Sequence, residues 1–164
     1  MNSSSKDNPL EVVPQGAPLL TLFIFGLLAS LGALLVELLV ASFFIDTSAL
    51  DSSFVPTHFS LLLFALIEES FKIIFFLQAS RRLIALPQPL TRGLIYGFGF
   101  ASLEYFALSL MHNLPSGPIY GILLVHLVTS LLLVMLLPKC QGKRALISLL
   151  GFLTALHFGY NILL

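Results

Sequence analysis

Charge is scarce in this sequence: eight Lys and Arg and eight Asp and Glu, a tenth of the chain, cancel to a formal net charge of zero. With no basic patch to neutralise phosphates, nucleic acid is excluded as an expected partner. The only cysteine, Cys140, excludes an internal disulfide and a metal site built from cysteines. Tryptophan is absent as well, so an interfacial aromatic belt has to rest on Tyr and Phe.

What remains is apolar length. Hydrophobic residues make up 57% of the 164 positions and mean hydropathy is +1.00. Such values belong to bundles of spanning helices rather than to soluble domains. Five apolar segments run over about 18–45, 58–79, 93–111, 119–137 and 145–164, each near the ~20 residues that cross ~30 Å of hydrocarbon. They lack the alternation of a barrel, and a spanning backbone must satisfy its own hydrogen bonds. The predicted fold is therefore all-α: one five-helix transmembrane domain over 18–164, behind a polar lead at 1–17. The first segment is too long for a signal-peptide core and contains Glu37, so it reads as a retained helix.

Turn formers separate the segments: Asp51-Ser52-Ser53, Pro87-Gln88-Pro89, Asn113 to Pro118, and Pro138 with Gly142. No connection is long enough to hold a second domain. Arg81, Arg82 and Arg92 flank the second connection and Lys139, Lys143 and Arg144 the fourth, while the first and third have no Lys or Arg. The positive-inside rule then predicts an N-terminus inside and a C-terminus outside. The expected protein is multi-pass and integral to a lipid bilayer.

Four polar insertions interrupt these segments: Glu68, Glu69 and Lys72 in helix two; Ser102 and Glu104 in helix three; His126, Thr129 and Ser130 in helix four; His157 and Asn161 in helix five. Each charge costs ~2.5–3.5 kcal/mol at a helix centre. Three in helix two cost roughly 8–10 kcal/mol, against about 6 from about a dozen Leu, Ile and Phe at ~0.5 each. Lys72 is four residues from Glu68 and three from Glu69, so either carboxylate can meet it on one face. The remaining carboxylate needs partners from other helices.

Depth supplies them. At ~1.5 Å per residue, Glu68 lies ~15 Å below the outer end of helix two and Glu104 ~16 Å above the inner end of helix three. His126 is ~10 Å below the outer end of helix four and His157 ~18 Å above the inner end of helix five. His157 and Asn161 are spaced i and i+4, as are His126 and Ser130, so each pair shares a face. Glu37, ~28 Å along the first helix, is expected near the outer interface in reach of water. Gly93, Gly97 and Gly99 read as a close helix contact.

Two histidines and several carboxylates in one layer match the donors of a catalytic zinc, which takes three protein ligands and keeps a position for water. A carboxylate outside the ligand set serves as general base, and Lys72 or Asn161 holds the oxyanion. A metal-free arrangement is equally compatible, with a Glu deprotonating water and His and Asn donating to the tetrahedral intermediate. Ionisable chains of this kind also build proton-coupled transporters and channels, although those commonly break their helices and repeat their halves. A non-catalytic scaffold or immunity protein of the same fold is a third class.

The order Glu68-Glu69-x-x-Lys72, Phe100-x-x-x-Glu104, His126, then His157-x-x-x-Asn161 resembles the PrsW-type intramembrane proteases, in a superfamily with the CAAX-prenyl proteases. The resemblance spans helices two to five, from about Phe59 to Leu164. It implies peptide-bond hydrolysis in or near a bacterial cytoplasmic membrane, usually metal-dependent, on a membrane-anchored substrate such as an anti-sigma factor. It implies Glu68, Glu69, Lys72 and Asn161 as catalytic residues, with Glu68 the favoured base, and Glu104, His126 and His157 as zinc ligands. Glu104 stands where the CAAX branch has His, and that branch typically carries an Arg in its first motif. Both differences point to the PrsW branch and away from prenyl-protein substrates.

Overall fold

A computed structural model describes residues 16–44, 58–83, 88–111 and 117–163. Residues 1–15 of the polar lead, the Asp51-Ser52-Ser53 turn, Pro87 and Asn113 to Ser116 lie outside the described residues. The described chain is helical throughout, in five helices: α1 (Gly16–Phe44), α2 (His58–Arg82), α3 (Pro89–Met111), α4 (Gly117–Leu136) and α5 (Gly142–Leu163), with a single 3-10 turn (Leu137–Lys139) between the last two.

The helices match the apolar segments but overrun several of their ends. Helix α3 begins at Pro89, four residues before the expected Gly93, because proline suits a first helical position where no N–H is needed. The Arg92 amide donates to the Gln88 carbonyl (3.0 Å), closing that first turn. Helix α2 runs on through Arg81 and Arg82, cations that favour a helix C-terminus. Pro138 cannot continue α4 and sits in the 3-10 turn instead. Gly142 then takes a left-handed φ of 85° at the start of α5, a conformation glycine adopts without steric cost.

Helices α1, α3, α4 and α5 are each long and apolar enough to cross a membrane. Helix α2 falls short on composition rather than length, since every 18-residue stretch within it contains Glu68, Glu69 and Lys72. The distribution of side chains fits a lipid surround. Large apolar residues such as Leu35, Phe43, Phe59, Leu110 and Ile147 are exposed, whereas Glu69, Lys72, His126 and His157 are buried. Buried polar groups and exposed apolar ones are the informative departures from a soluble pattern.

Packing closes the helices into a ring in the order α1, α3, α4, α5, α2. Helices α1 and α2 are antiparallel: Phe25 meets Phe75 and Arg82, and Gly32 faces Phe71. Helices α1 and α3 approach closely, with Gly26 against the Tyr96 carbonyl and Gly99 against that of Phe23. Helices α3 and α4 cross at Gly93 and Gly97, the close contact expected from their spacing. A Cβ on Gly97 would stand 2.8 Å from the His126 carbonyl oxygen. That approach lets α3 seat itself against the histidine of α4.

Candidate functional site

The polar residues of α2, α3, α4 and α5 meet in one layer at the centre of the ring. Lys72 is fully buried; its ammonium donates to Glu69 Oε1 at 2.6 Å and to Thr129 Oγ1 at 2.9 Å. It also lies 4.6 Å from the centre of the Phe100 ring, a cation–π contact strengthened by the absence of water. The Tyr96 hydroxyl donates to the Lys72 carbonyl at 2.8 Å. Residues of α2, α3 and α4 thus hold this one cation.

Glu69 accepts a second bond at the same oxygen. His157 Nδ1 lies 2.8 Å from Glu69 Oε1. The carboxylate, paired with Lys72, can only accept, so Nδ1 carries a proton and donates, and Nε2 faces the other way. There it meets Glu68, with Nε2 3.6 Å from Glu68 Oε2. His126 approaches the same oxygen with Nδ1 at 3.8 Å, and its Nε2 abuts the Glu104 carboxylate. The two imidazoles meet edge to face with centroids 5.1 Å apart, and the Phe100 ring backs His126 at 4.8 Å.

Spacing on α2 divides the labour between its two glutamates. Neighbours on a helix point about 100° apart, so Glu69 turns to Lys72 and the Nδ1 of His157 while Glu68 turns to both imidazoles. Glu69 therefore orients a histidine, and Glu68 holds the central position.

Six of the seven residues proposed from the sequence come together: Glu68, Glu69, Lys72, Glu104, His126 and His157. Asn161 is half-buried one turn beyond His157, and no hydrogen bond joins it to them. The grouping also differs from the expected one. Glu68, His126 and His157 each offer a ligand atom within 4.8 Å of the others, whereas Glu104 touches only His126 of this set. The donors suit a metal: Glu68 Oε2 and His126 Nδ1 are buried without a hydrogen-bond partner. Two imidazoles and a carboxylate form a set that zinc takes readily.

Glu37 corrects the sequence reading. It lines a small cavity with Ser30, Ala33, Leu34, Glu68, Phe100 and Glu104, and its Oε1 is buried. Helix α1 has 29 residues, about 43 Å at 1.5 Å per residue, so distance from its inner end overstates depth. Counted from Phe44, Glu37 lies only about 10 Å in, close to the level of Glu68 in antiparallel α2. A signal was present: Gly26, Ser30, Ala33 and Glu37 recur on one helical face. Thr129 and Tyr96, which hold Lys72, were likewise not assigned roles from spacing alone.

Compared with protein-family models, with curated proteins and with solved structures, the chain matches none.

Proposed function

We propose that the protein is an intramembrane endopeptidase that hydrolyses peptide bonds of a membrane-anchored protein substrate, its five helices all crossing the bilayer with the N-terminus inside. The observation that carries this reading is Glu68, buried between two imidazoles, one of them oriented by the Glu69–Lys72 pair. A purely structural ion pair needs Glu69 and Lys72; it does not need Glu68, Glu104, His126 and His157 around them. Maintaining these groups in an apolar surround is costly, and chemistry on an entering substrate is a use that accounts for them all.

Held by Glu68, His126 and His157, a zinc ion supplies a polarised scissile carbonyl and a more acidic water. The chain's own part is then defined by geometry. Glu104, beside His126 but outside that set, takes the proton of the attacking water. In a metal-free site Glu68 takes this role, with the Nε2 of His157 next to it to pass the proton to the leaving amine. Glu69 fixes the ring of His157, and Lys72 holds Glu69. Asn161, on the face of His157, is the donor for the developing oxyanion. An apolar groove of ≈ 240 Å³, lined by Phe98, Ala101, Ser102, Tyr105, Ile122 and Leu123, lies one turn from Glu104 and His126 and suits an apolar peptide segment arriving from the bilayer.

The test compares the proteomes of membranes expressing the wild type or Glu68→Gln. Fragments of membrane-anchored proteins should appear only with the wild type, and a reconstituted substrate should be cleaved by it alone. Indistinguishable fragment profiles from both proteins, with the wild type folded and abundant, sink the proposal. A regulator such as an anti-sigma factor is the substrate type that the PrsW resemblance suggests first.

A further inference from the structure

Glu37 has no part in the chemistry above, yet it lies beside the residue at its centre. The cavity that Glu37 lines between α1, α2 and α3 is too small for anything larger than a single water, so it is no place for a substrate. None of its lining residues is a Lys, Arg or His. Glu37 and Glu68 lie within hydrogen-bonding reach of each other. Glu104, the third carboxyl on the cavity wall, is turned to His126.

Two ionised carboxylates have only acceptors to offer, and like charges this close in an apolar interior exclude double ionisation. A hydrogen bond between Glu37 and Glu68 therefore contains a proton. The bond is then of the O–H···O⁻ kind, which is stronger than a neutral one. The surroundings decide which residue carries the proton. Glu68 Oε2 faces His157 Nε2 at 3.6 Å and His126 Nδ1 at 3.8 Å, where an anion has partners. Glu37 has no nitrogen near it in the cavity, and Lys72 is committed to Glu69 and Thr129. The negative charge belongs on Glu68 and the proton on Glu37.

We propose that Glu37 is a positioning residue, an un-ionised carboxylic acid on α1 whose O–H donates to Glu68 and fixes that carboxylate between the two imidazoles. The role rests on the peptidase reading of the same site. An ionised carboxylate accepts at about four lone-pair positions, so a bond from Glu37 still leaves Glu68 able to serve the histidine side. Groups that orient a ligating or reacting side chain in this way are worth ~10–100-fold in affinity or activity. The same device recurs across the site, where Glu69 orients His157. Ser30 and Ala33, each 1% exposed, seat α1 closely enough for Glu37 to reach α2.

The experiment uses the full-length protein in lipid vesicles at neutral pH. Infrared difference spectra against the wild type should show the carbonyl stretch of one un-ionised carboxylic acid missing in Glu37→Gln. In Glu68→Gln that band should persist at higher frequency, because a neutral amide oxygen accepts more weakly than a carboxylate. Release of fragments from membrane-anchored proteins is measured alongside. Glu37→Met keeps the side chain's length without a donor and should lose ~10–100-fold in turnover. Glu37→Gln, whose amide donates in place of the acid, should recover most of that loss. An acid band unchanged in Glu37→Gln, or wild-type turnover in Glu37→Met, overturns the positioning role. So does a folded Glu37→Gln as impaired as Glu37→Met, the mark of a residue needed as an anion. Should the Glu37 variants not fold, an acid band that fails to shift in Glu68→Gln overturns it instead. Fragment release by a wild type with no acid band would count against Glu37 alone, whereas the band without fragment release would count only against the peptidase reading.

Discussion

Replacing Lys72 with methionine removes the ammonium bonded to Glu69 while keeping most of the side chain's length and apolar stem. Wild-type Lys72 and Glu69 are both fully buried, and their contact of 2.6 Å is backed by Thr129 and the face of Phe100. Breaking a buried pair from one side leaves an uncompensated charge and costs about 3–5 kcal/mol. Loss of the Thr129 bond adds about 1 kcal/mol, so Lys72→Met should lower stability by roughly 4–6 kcal/mol. Reversible denaturation in mixed micelles measures this directly. The second arm is Glu69→Gln combined with Lys72→Met, where the stranded charge is gone and His157 keeps an acceptor. That double variant should recover most of the loss, giving a coupling of about 3 kcal/mol in the double-mutant cycle. A single-variant cost below about 1 kcal/mol, or strict additivity in the cycle, would refute a desolvated pair at the centre of the bundle.

Glu68→Gln should accumulate in the membrane at wild-type levels, because it removes a charge from the bundle, yet lose at least ~10²-fold in substrate turnover. If Glu68→Gln and Glu69→Gln both cleave at the wild-type rate, the pair is structural. Gly97→Ala puts a Cβ 2.8 Å from the His126 carbonyl and 2.9 Å from Ser130 Cβ, so it should cost about 1–3 kcal/mol through overpacking; a neutral effect in the same denaturation assay would argue against the close α3–α4 approach. Reporters fused after Arg82 and Lys143 should read cytoplasmic and one after Gly117 external, and an external readout at Arg82 reverses the proposed orientation.

Much of the fold could be read from apolar length, because a helix that satisfies its own backbone hydrogen bonds is recognisable one segment at a time. Helix ends were less legible. Pro89 and the Arg81-Arg82 pair sit outside the apolar runs but inside the helices, since hydropathy reports what lipid tolerates and not where backbone bonding stops. The central layer was legible for a related reason. Glu68, Glu69, Lys72, Glu104, His126 and His157 are costly enough in an apolar segment to identify themselves. Thr129 and Tyr96 are not. Both belong to residue types common in spanning helices, and only the three-dimensional approach of α4 and α3 to Lys72 gives them a role.

Glu37 is the most informative miss, because the reasoning that failed there succeeded at Glu68. Both residues are carboxylates within long helices, and for both the depth was counted from a helix end. The count works better where helix length is closer to the hydrocarbon thickness, as in α2 with 25 residues. It fails for α1, whose 29 residues exceed that thickness by about 13 Å. In such a helix, depth is better inferred from what shares the face. Gly26 and Ala33 are small residues that let α1 approach its neighbours closely, Gly26 directly against α3 and Ala33 buried at 1% exposure. A carboxylate one turn beyond Ala33 on that same face is carried inward with them. The small-residue stripe therefore brings α1 to the ring and takes Glu37 to Glu68, which is why packing outweighs distance from the membrane surface in deciding where this charge resides.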